Sequence, residues 1–261
     1  MEISLKYKKA LIGGSSKGIG KAIAQQLAKS GASVTILARS EDKLKSIISQ
    51  LPTDQGQNHQ YIVVDYTDLE RYKKNIHAYF KHNTVDILVN NTQGPAAGNA
   101  LEKEATDYQE AYDLLFKTTI ITTQLALKGM IENKYGRIIN IASVSVKEPI
   151  SNLVLSNAIR AAVVSWAKSL AIEVGQFNIT VNNTLTGYFN TERLKNLNMG
   201  KAKELGIPIE ELEQQMKTNV PLGRFGDPKE YGYLVAYLAS EQASFITGAN
   251  IPIDGGMLKS I

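Results

Sequence analysis

The sequence predicts an α/β fold, a parallel sheet of seven strands covered by helices on both faces. Three observations carry the prediction. Short apolar runs recur at residues 9–13, 33–38, 60–64, 85–90, 136–142, 178–184 and 249–253. Helix-length segments lie between them, with apolar residues three and four apart, as in Ile19, Ile23 and Leu27 or Trp166, Leu170 and Val174. The runs are continuously apolar rather than alternating, as strands buried on both faces are. Strands that alternate with helices build right-handed βαβ units, so the expected architecture is doubly wound and three-layered, αβα.

Taken in order, the first run leads directly into Gly14-Ser15-Ser16-Lys17-Gly18-Ile19-Gly20 and a helix. The second ends at Ala38-Arg39-Ser40, the third at Asp65, and the fourth at Asn90-Asn91. Two long helices are expected over 106–130 and 156–174, flanking the fifth run. Residues 186–228 read as one long irregular segment with a polar helix around 210–217, a candidate substrate lid at about 187–227. No linker, repeat or low-complexity stretch interrupts 1–261, so one domain is expected.

Composition narrows the function. The chain has 261 residues, enough for a large core, and no cysteine, which excludes disulfides, thiolate zinc sites and a thiol nucleophile. Lys and Arg number 29 against 25 Asp and Glu, with the two signs interspersed. No basic stripe marks a nucleic-acid face. No apolar stretch is long enough to span a bilayer, and the apolar run after Lys9 stops at Gly13, too short for a signal-peptide core. A cytoplasmic protein without nucleic-acid or membrane partners is expected. His77 and His82 are five apart and lack an acidic ligand pair, so no metal site is expected. Ser143 has no partner His or Asp and no nucleophile elbow, which argues against a hydrolase. Ile19-Gly20 stands where a phosphate-binding loop of the nucleotidase type needs Lys-Ser/Thr, which argues against a kinase or NTPase.

The glycine loop is the first positive sign of function. Glycines let backbone approach a pyrophosphate closely, and the following helix N-terminus offers unpaired N–H groups and the positive end of its dipole. That is the start of a Rossmann-type dinucleotide site. An acid at the end of the second strand would bind an adenosine 2′-hydroxyl. Arg39, followed by Ser40, favours a 2′-phosphate instead, with Lys17 as a second cation, so NADP(H) is expected over NAD(H).

From Lys9 to Gly256 the chain resembles the short-chain dehydrogenase/reductase family. Gly14 to Gly20 is similar to its first fingerprint, Asp65 to its adenine-contacting Asp, and Asn90-Asn91-Thr92-Gln93-Gly94 to its Asn-Asn-Ala-Gly motif with one residue inserted. Asn182-Asn183-Thr184-Leu185-Thr186-Gly187 resembles its strand-six motif with Thr186 replacing proline. Pro221-Leu222-Gly223-Arg224, Gly226, Pro228, Ser240, Thr247-Gly248 and Asp254-Gly255-Gly256 look most like the 3-oxoacyl-carrier-protein reductase and glucose-dehydrogenase branches. The resemblance implies a cofactor site of Gly14, Ser16, Lys17, Gly18, Ile19, Arg39, Ser40, Asp65 and Asn91, with Arg160 on the ribose and Thr191 near the pyrophosphate. It also implies a small-molecule substrate and a homodimer or homotetramer.

The family's catalytic Asn, Ser, Tyr and Lys fall on Leu115, Ser143, Ser156 and Arg160. Only the serine is retained. A phenol titrates near 10 and a neighbouring ammonium brings it down, whereas an aliphatic hydroxyl is a far weaker acid, so Ser156 is no simple replacement. Arg160 is a poor proton donor but can hold ribose hydroxyls or stabilise negative charge on a substrate oxygen. Three readings stay open: an oxidoreductase with another proton source, such as Tyr188 or a water held by Ser143 or Ser145; one whose imine or enone substrate needs no strong acid; or a catalytically impaired nucleotide-binding or scaffolding relative. The expectation is an NADP(H)-dependent, 3-oxoacyl reductase-like enzyme acting on a carbonyl, imine or enone.

Overall fold

The computed structural model describes residues 3–260. All seven expected strands form: β1 (Lys9–Ile12), β2 (Ser33–Ala38), β3 (Gln60–Val63), β4 (Ile87–Asn90), β5 (Gly136–Ile141), β6 (Ile179–Thr186) and β7 (Asn250–Ile253). They make one sheet in the order β3-β2-β1-β4-β5-β6-β7, and every neighbouring pair is parallel. The order reverses beside β1, between β1 and β4, and the crevice at such a switch point is where open α/β sheets bind ligands.

The apolar runs look continuous because each face of the sheet has its own core. Ala10, Ile12, Val34, Ile36, Ile139 and Ile141 pack with α1 (Gly18–Lys29), α2 (Glu41–Ile48) and α9 (Pro228–Ala239). The intervening Leu11, Leu37, Leu88, Ile138 and Val181 pack with α3 (Leu69–Phe80), α5 (Thr118–Glu132) and α6 (Val154–Val174). Successive side chains in a strand point to opposite faces, so a strand buried on both must be apolar throughout.

Near the carboxyl end of the sheet the apolar rule breaks in a regular way. Asn90, Asn140, Asn183 and Asn250 occupy matching register positions on β4, β5, β6 and β7. Asn90 Nδ2 donates to Asn140 Oδ1 (2.8 Å), Asn140 Nδ2 to Asn183 Oδ1 (2.9 Å) and Asn183 Nδ2 to Asn250 Oδ1 (2.8 Å). Thr123 Oγ1 accepts a further bond from Asn90 at 3.0 Å. Asn140 and Asn183 are buried and would be costly unpaired; each satisfies the next.

Two expectations for the helices need correction. The helix expected over 106–130 is α4 (Ala105–Tyr112) and α5 joined by a π-helical turn at Asp113–Lys117. Thr118 and Thr119 donate their hydroxyls back to the carbonyls of Leu114 and Leu115, both at 2.7 Å, satisfying acceptors at that turn. Residues 186–228 are not one irregular segment: α7 (Glu192–Leu205) precedes α8 (Ile209–Thr218). The α7 helix buries only Asn198 and Ala202, so it carries no apolar stripe. Its ends are marked instead, by Thr191, whose hydroxyl accepts from Leu194 N, and by Gly206 in the left-handed region at φ 66°. Among the described residues no helix is long and apolar enough to cross a membrane.

Candidate functional site

The loop between β1 and α1 is built to leave backbone donors free. No side chain caps α1 and its first turn holds no acid, so no side chain of that turn competes for its first N–H groups. Gly18 adopts φ 57°, and a Cβ on Gly20 would lie 2.3 Å from the Gly14 carbonyl oxygen, so the loop closes only with glycine there. Asn91 donates to the Gly13 carbonyl at 3.0 Å, bracing the loop from the end of β4.

A cleft of about 560 Å³ opens over this loop. It brings together Gly14, Ser16, Lys17, Gly18, Ile19, Arg39, Ser40, Asn91 and Thr191, nine of the eleven expected cofactor residues. Asp65 and Arg160 do not line it. Asp65 accepts from Thr67 N (2.9 Å) and Thr67 Oγ1 (2.7 Å) at the surface. Partial burial works against its charge, but the Thr67 bonds and the positive charges of Arg39 and Arg71 hold the carboxyl below its ordinary range.

Cations collect at the end of the cleft nearest β2. Arg39 is joined by Lys43, four residues on in the first turn of α2. Lys17 is already engaged: its Nζ lies 2.7 Å from Glu192 Oε1 at the start of α7. That bond draws the Glu192 carboxyl down and ties the glycine loop to α7. The next residue, Arg193, reaches the opposite rim and donates to the carbonyls of Gly94 (3.4 Å) and Pro95 (3.3 Å). A Cβ on Gly94 would sit 2.2 Å from Arg193 Nη2, so glycine there makes room for the guanidinium.

Three of the four expected catalytic positions, Ser143, Ser156 and Arg160, lie near the carboxyl end of β5. Arg160 Nε donates to Ser156 Oγ at 3.2 Å, one turn back on α6, and Nη1 donates to the Ile141 carbonyl, two residues before Ser143. Ser143 Oγ accepts from Ser145 N at 3.1 Å, while the buried Ser145 hydroxyl has no hydrogen-bond partner. Beneath Arg160 is a small cavity lined by Asn90, Thr92, Leu115, Thr119 and Asn140. Burial, with the Arg193 charge adding to it, lowers the Arg160 guanidinium to about 10, leaving it a cation at neutral pH.

Tyr188 is elsewhere. It lines a separate cavity of about 220 Å³ with Phe189, Leu222, Arg224 and Glu230, stacked edge-on against Phe225 at 6.1 Å. Burial pushes its hydroxyl above the ordinary phenol value, which makes it a weaker acid still. The structure therefore does not bring Tyr188 into the cavity that Arg160 lines.

A family profile described as enoyl-(acyl carrier protein) reductase matches residues 14–258. The 3-oxoacyl-[acyl-carrier-protein] reductase FabG of Aquifex aeolicus is 33% identical over 258 residues, covering 98% of this chain and 100% of that one. The chain belongs to the short-chain dehydrogenase/reductase family. NADPH-dependent reductase BacG of Bacillus subtilis is 30% identical, over 97% of this short-chain dehydrogenase/reductase and 98% of its own length. The structure of L-sorbose reductase from Gluconobacter frateurii, complexed with NADPH and L-sorbose, superposes with a TM-score of 0.92 at 29% identity over the whole of both chains.

Sequence reasoning missed several groups in this short-chain dehydrogenase/reductase. Lys43 had a signal, its four-residue spacing from Arg39 at a helix start. Arg193 had none while α7 was unread. Tyr231 is fully buried on α9, and its hydroxyl meets Thr184 Oγ1 (2.6 Å) and Thr186 Oγ1 (2.7 Å). Burial pushes it up to about 12 despite those bonds.

Proposed function

We propose that this short-chain dehydrogenase/reductase is an NADP(H)-dependent oxidoreductase that reduces a carbonyl, imine or conjugated enone on a small molecule. The observation that carries the reading is the single cleft joining the uncapped α1 N-terminus to Arg39, Ser40 and Lys43. The free N–H groups and dipole of α1 suit a pyrophosphate, and the cations suit a 2′-phosphate. Gly14, Ser16, Gly18, Ile19 and Thr191 would hold the dinucleotide, Asn91 bracing their loop and Asp65 supporting the adenine end. When bound, the reduced nicotinamide supplies the hydride.

The chain's own residues orient the acceptor and manage charge. Ser143 holds the acceptor oxygen or nitrogen. Arg160, fixed by Ser156 and the Ile141 carbonyl, would stabilise negative charge developing there. Without an acidic phenol beside it, an imine already protonated, or an enone that yields an enolate, suits the site best. A simple ketone takes its proton from solvent through Ser143 or Ser145, because Tyr188 lines another cavity. Segment 187–227 acts as the substrate lid of a single domain. A homodimer or homotetramer in the cytoplasm completes the proposal.

Fluorescence titration with NADPH and NADH tests the cofactor half. Micromolar NADPH binding, clearly tighter than NADH, is expected, followed by NADPH oxidation on a panel of ketones, enones and imines. Failure to bind either nucleotide would refute the reading.

A further inference from the structure

The cations that line the cofactor cleft are Lys17, Arg39, Lys43 and Arg193. Arg39 and Lys43 stand together at the β2 end, suited to a 2′-phosphate, and Lys17 is paired with Glu192. Arg193 has no such task. Among the described residues no carboxylate lies within 4.0 Å of its guanidinium. It donates only to the carbonyls of Gly94 (3.4 Å) and Pro95 (3.3 Å), both long for N–H···O bonds. A guanidinium has more N–H donors than those two bonds use, so it can grip a further acceptor without leaving them.

The place of Arg193 in the fold decides which anion it meets. Strand β1 lies between β2 and β4. Arg39 follows β2, whereas the carbonyls that hold Arg193 follow β4, so the two cations are tethered on opposite sides of β1. Arg193 also stands at the start of α1. A Cβ on Gly18 would lie 3.3 Å from Thr191 Cγ2, and the bonded pair Lys17 and Glu192 immediately precede Gly18 and Arg193. The first turns of α1 and α7 therefore meet where the glycine loop and the α1 dipole suit a pyrophosphate. That anion carries a charge on each phosphate, and a helix N-terminus offsets only about half an elementary charge. With Lys17 neutralised by Glu192, Arg193 is the cation left at that end among the described residues of the cleft.

We propose that Arg193 is the charge partner of the cofactor's pyrophosphate, a guanidinium carried by the lid that completes the anion site begun at α1. The inference rests on the NADP(H)-reductase reading and deepens it. Gly94 fits the same role: a Cβ there would collide with Arg193 Nη2, so a larger residue would push the guanidinium off the rim of the cleft. The α7 helix buries only Asn198 and Ala202, so a phosphate held by Arg193 also fastens the start of the lid.

Calorimetric titrations with NADPH, NADH and adenosine 2′-monophosphate test the assignment on wild type, Arg193→Lys, Arg193→Gln and Arg193→Met. Adenosine 2′-monophosphate has the 2′-phosphate but no pyrophosphate. Arg193→Met and Arg193→Gln are expected to weaken NADPH and NADH by similar factors of about tenfold or more, as loss of a charge-assisted bond implies. Both should change adenosine 2′-monophosphate binding less than about twofold. Arg193→Lys should recover part of the loss through its charge, although it lacks the planar fork. Glutamine separates gripping from bracing, because it can still donate to the Gly94 or Pro95 carbonyl but carries no charge. An Arg193→Gln protein that binds NADPH like wild type would confine Arg193 to bracing that turn and overturn the assignment. A loss confined to NADPH, equal losses of NADPH and adenosine 2′-monophosphate, or no loss in any variant would overturn it as well. A wild-type protein that binds neither NADPH nor NADH would overturn the reductase reading beneath it.

Discussion

Replacing Asn140 with leucine is the sharpest test of how the site's floor is held. Asn140 accepts from Asn90 and donates to Asn183, and it is 1% exposed. Leucine keeps the branching at Cγ but is bulkier, so the change removes the polar atoms, opens no void and adds some crowding at a buried position. Asn183 Oδ1 is then left buried with no donor, which costs about 1–3 kcal/mol, while Asn90 keeps Thr123 as an acceptor and loses only about 1 kcal/mol. These polar losses sum to about 2–4 kcal/mol, or a fall in Tm of about 5–15 °C for a chain of this size, and crowding by the larger side chain adds to both. Asn250→Ala cuts the same chain of amides at its exposed end, where water replaces the lost partner, and should cost less than about 1 kcal/mol. Urea unfolding of both variants, followed by Trp166 fluorescence, measures the difference. Equal losses would show that the amides act as independent surface-like contacts and not as a linked buried row.

Three further outcomes are expected. Arg39→Glu should weaken NADPH binding about tenfold or more while changing NADH binding little, because it reverses the charge facing the 2′-phosphate; equal losses in nucleotide titrations would remove that assignment. Ser156→Tyr combined with Arg160→Lys should raise ketone reduction measured as NADPH oxidation, and no gain would place the departure beyond those two side chains. Glu230 is held down to about 2 by the Arg224 guanidinium and by the Asp227 N–H. A carboxyl depressed in the folded state stabilises fully above its unfolded value near 4.5 and loses that contribution as pH falls toward 2. The stability gap between wild type and Glu230→Gln should therefore be flat above pH 5 and shrink below about 4.5; a gap that stays constant down to pH 2 would refute the clasp.

The parts of the fold made by burial were legible, and the parts made by polar detail were less so. Every strand was readable because a parallel strand buried on both faces must be apolar throughout, as at Leu11 and Ile12. The cofactor loop was readable because its glycines answer to backbone geometry, seen at Gly18 and Gly20. The α7 helix was not, since its exposed surface needs no apolar period and only Thr191 and Gly206 mark its ends. The π-helical turn at Asp113–Lys117 leaves no residue signature beyond threonines able to bond backward. Tyr188 was assigned by adjacency to Thr186-Gly187, but a side chain's direction at a strand end is set by what it packs against, here Phe225. Asn90 and Asn183 were visible as letters in separate motifs; their alignment with Asn140 and Asn250 emerges only when the strands pair.

The first turn of α7 touches both rims of the cleft, through Glu192 on Lys17 and Arg193 on the Gly94–Pro95 carbonyls. A nucleotide lying between those rims is enclosed by a staple, and departure requires at least one leg to lift. The Lys17–Glu192 leg is more than half exposed on both sides, so dissolved salt screens it. Ionic strength thus acts on cofactor exchange twice in the same direction, loosening the staple and weakening the pull on the phosphates. Turnover limited by nucleotide release would then rise with added salt even as affinity falls, making the dissociation rate the quantity through which the surroundings govern this enzyme's pace.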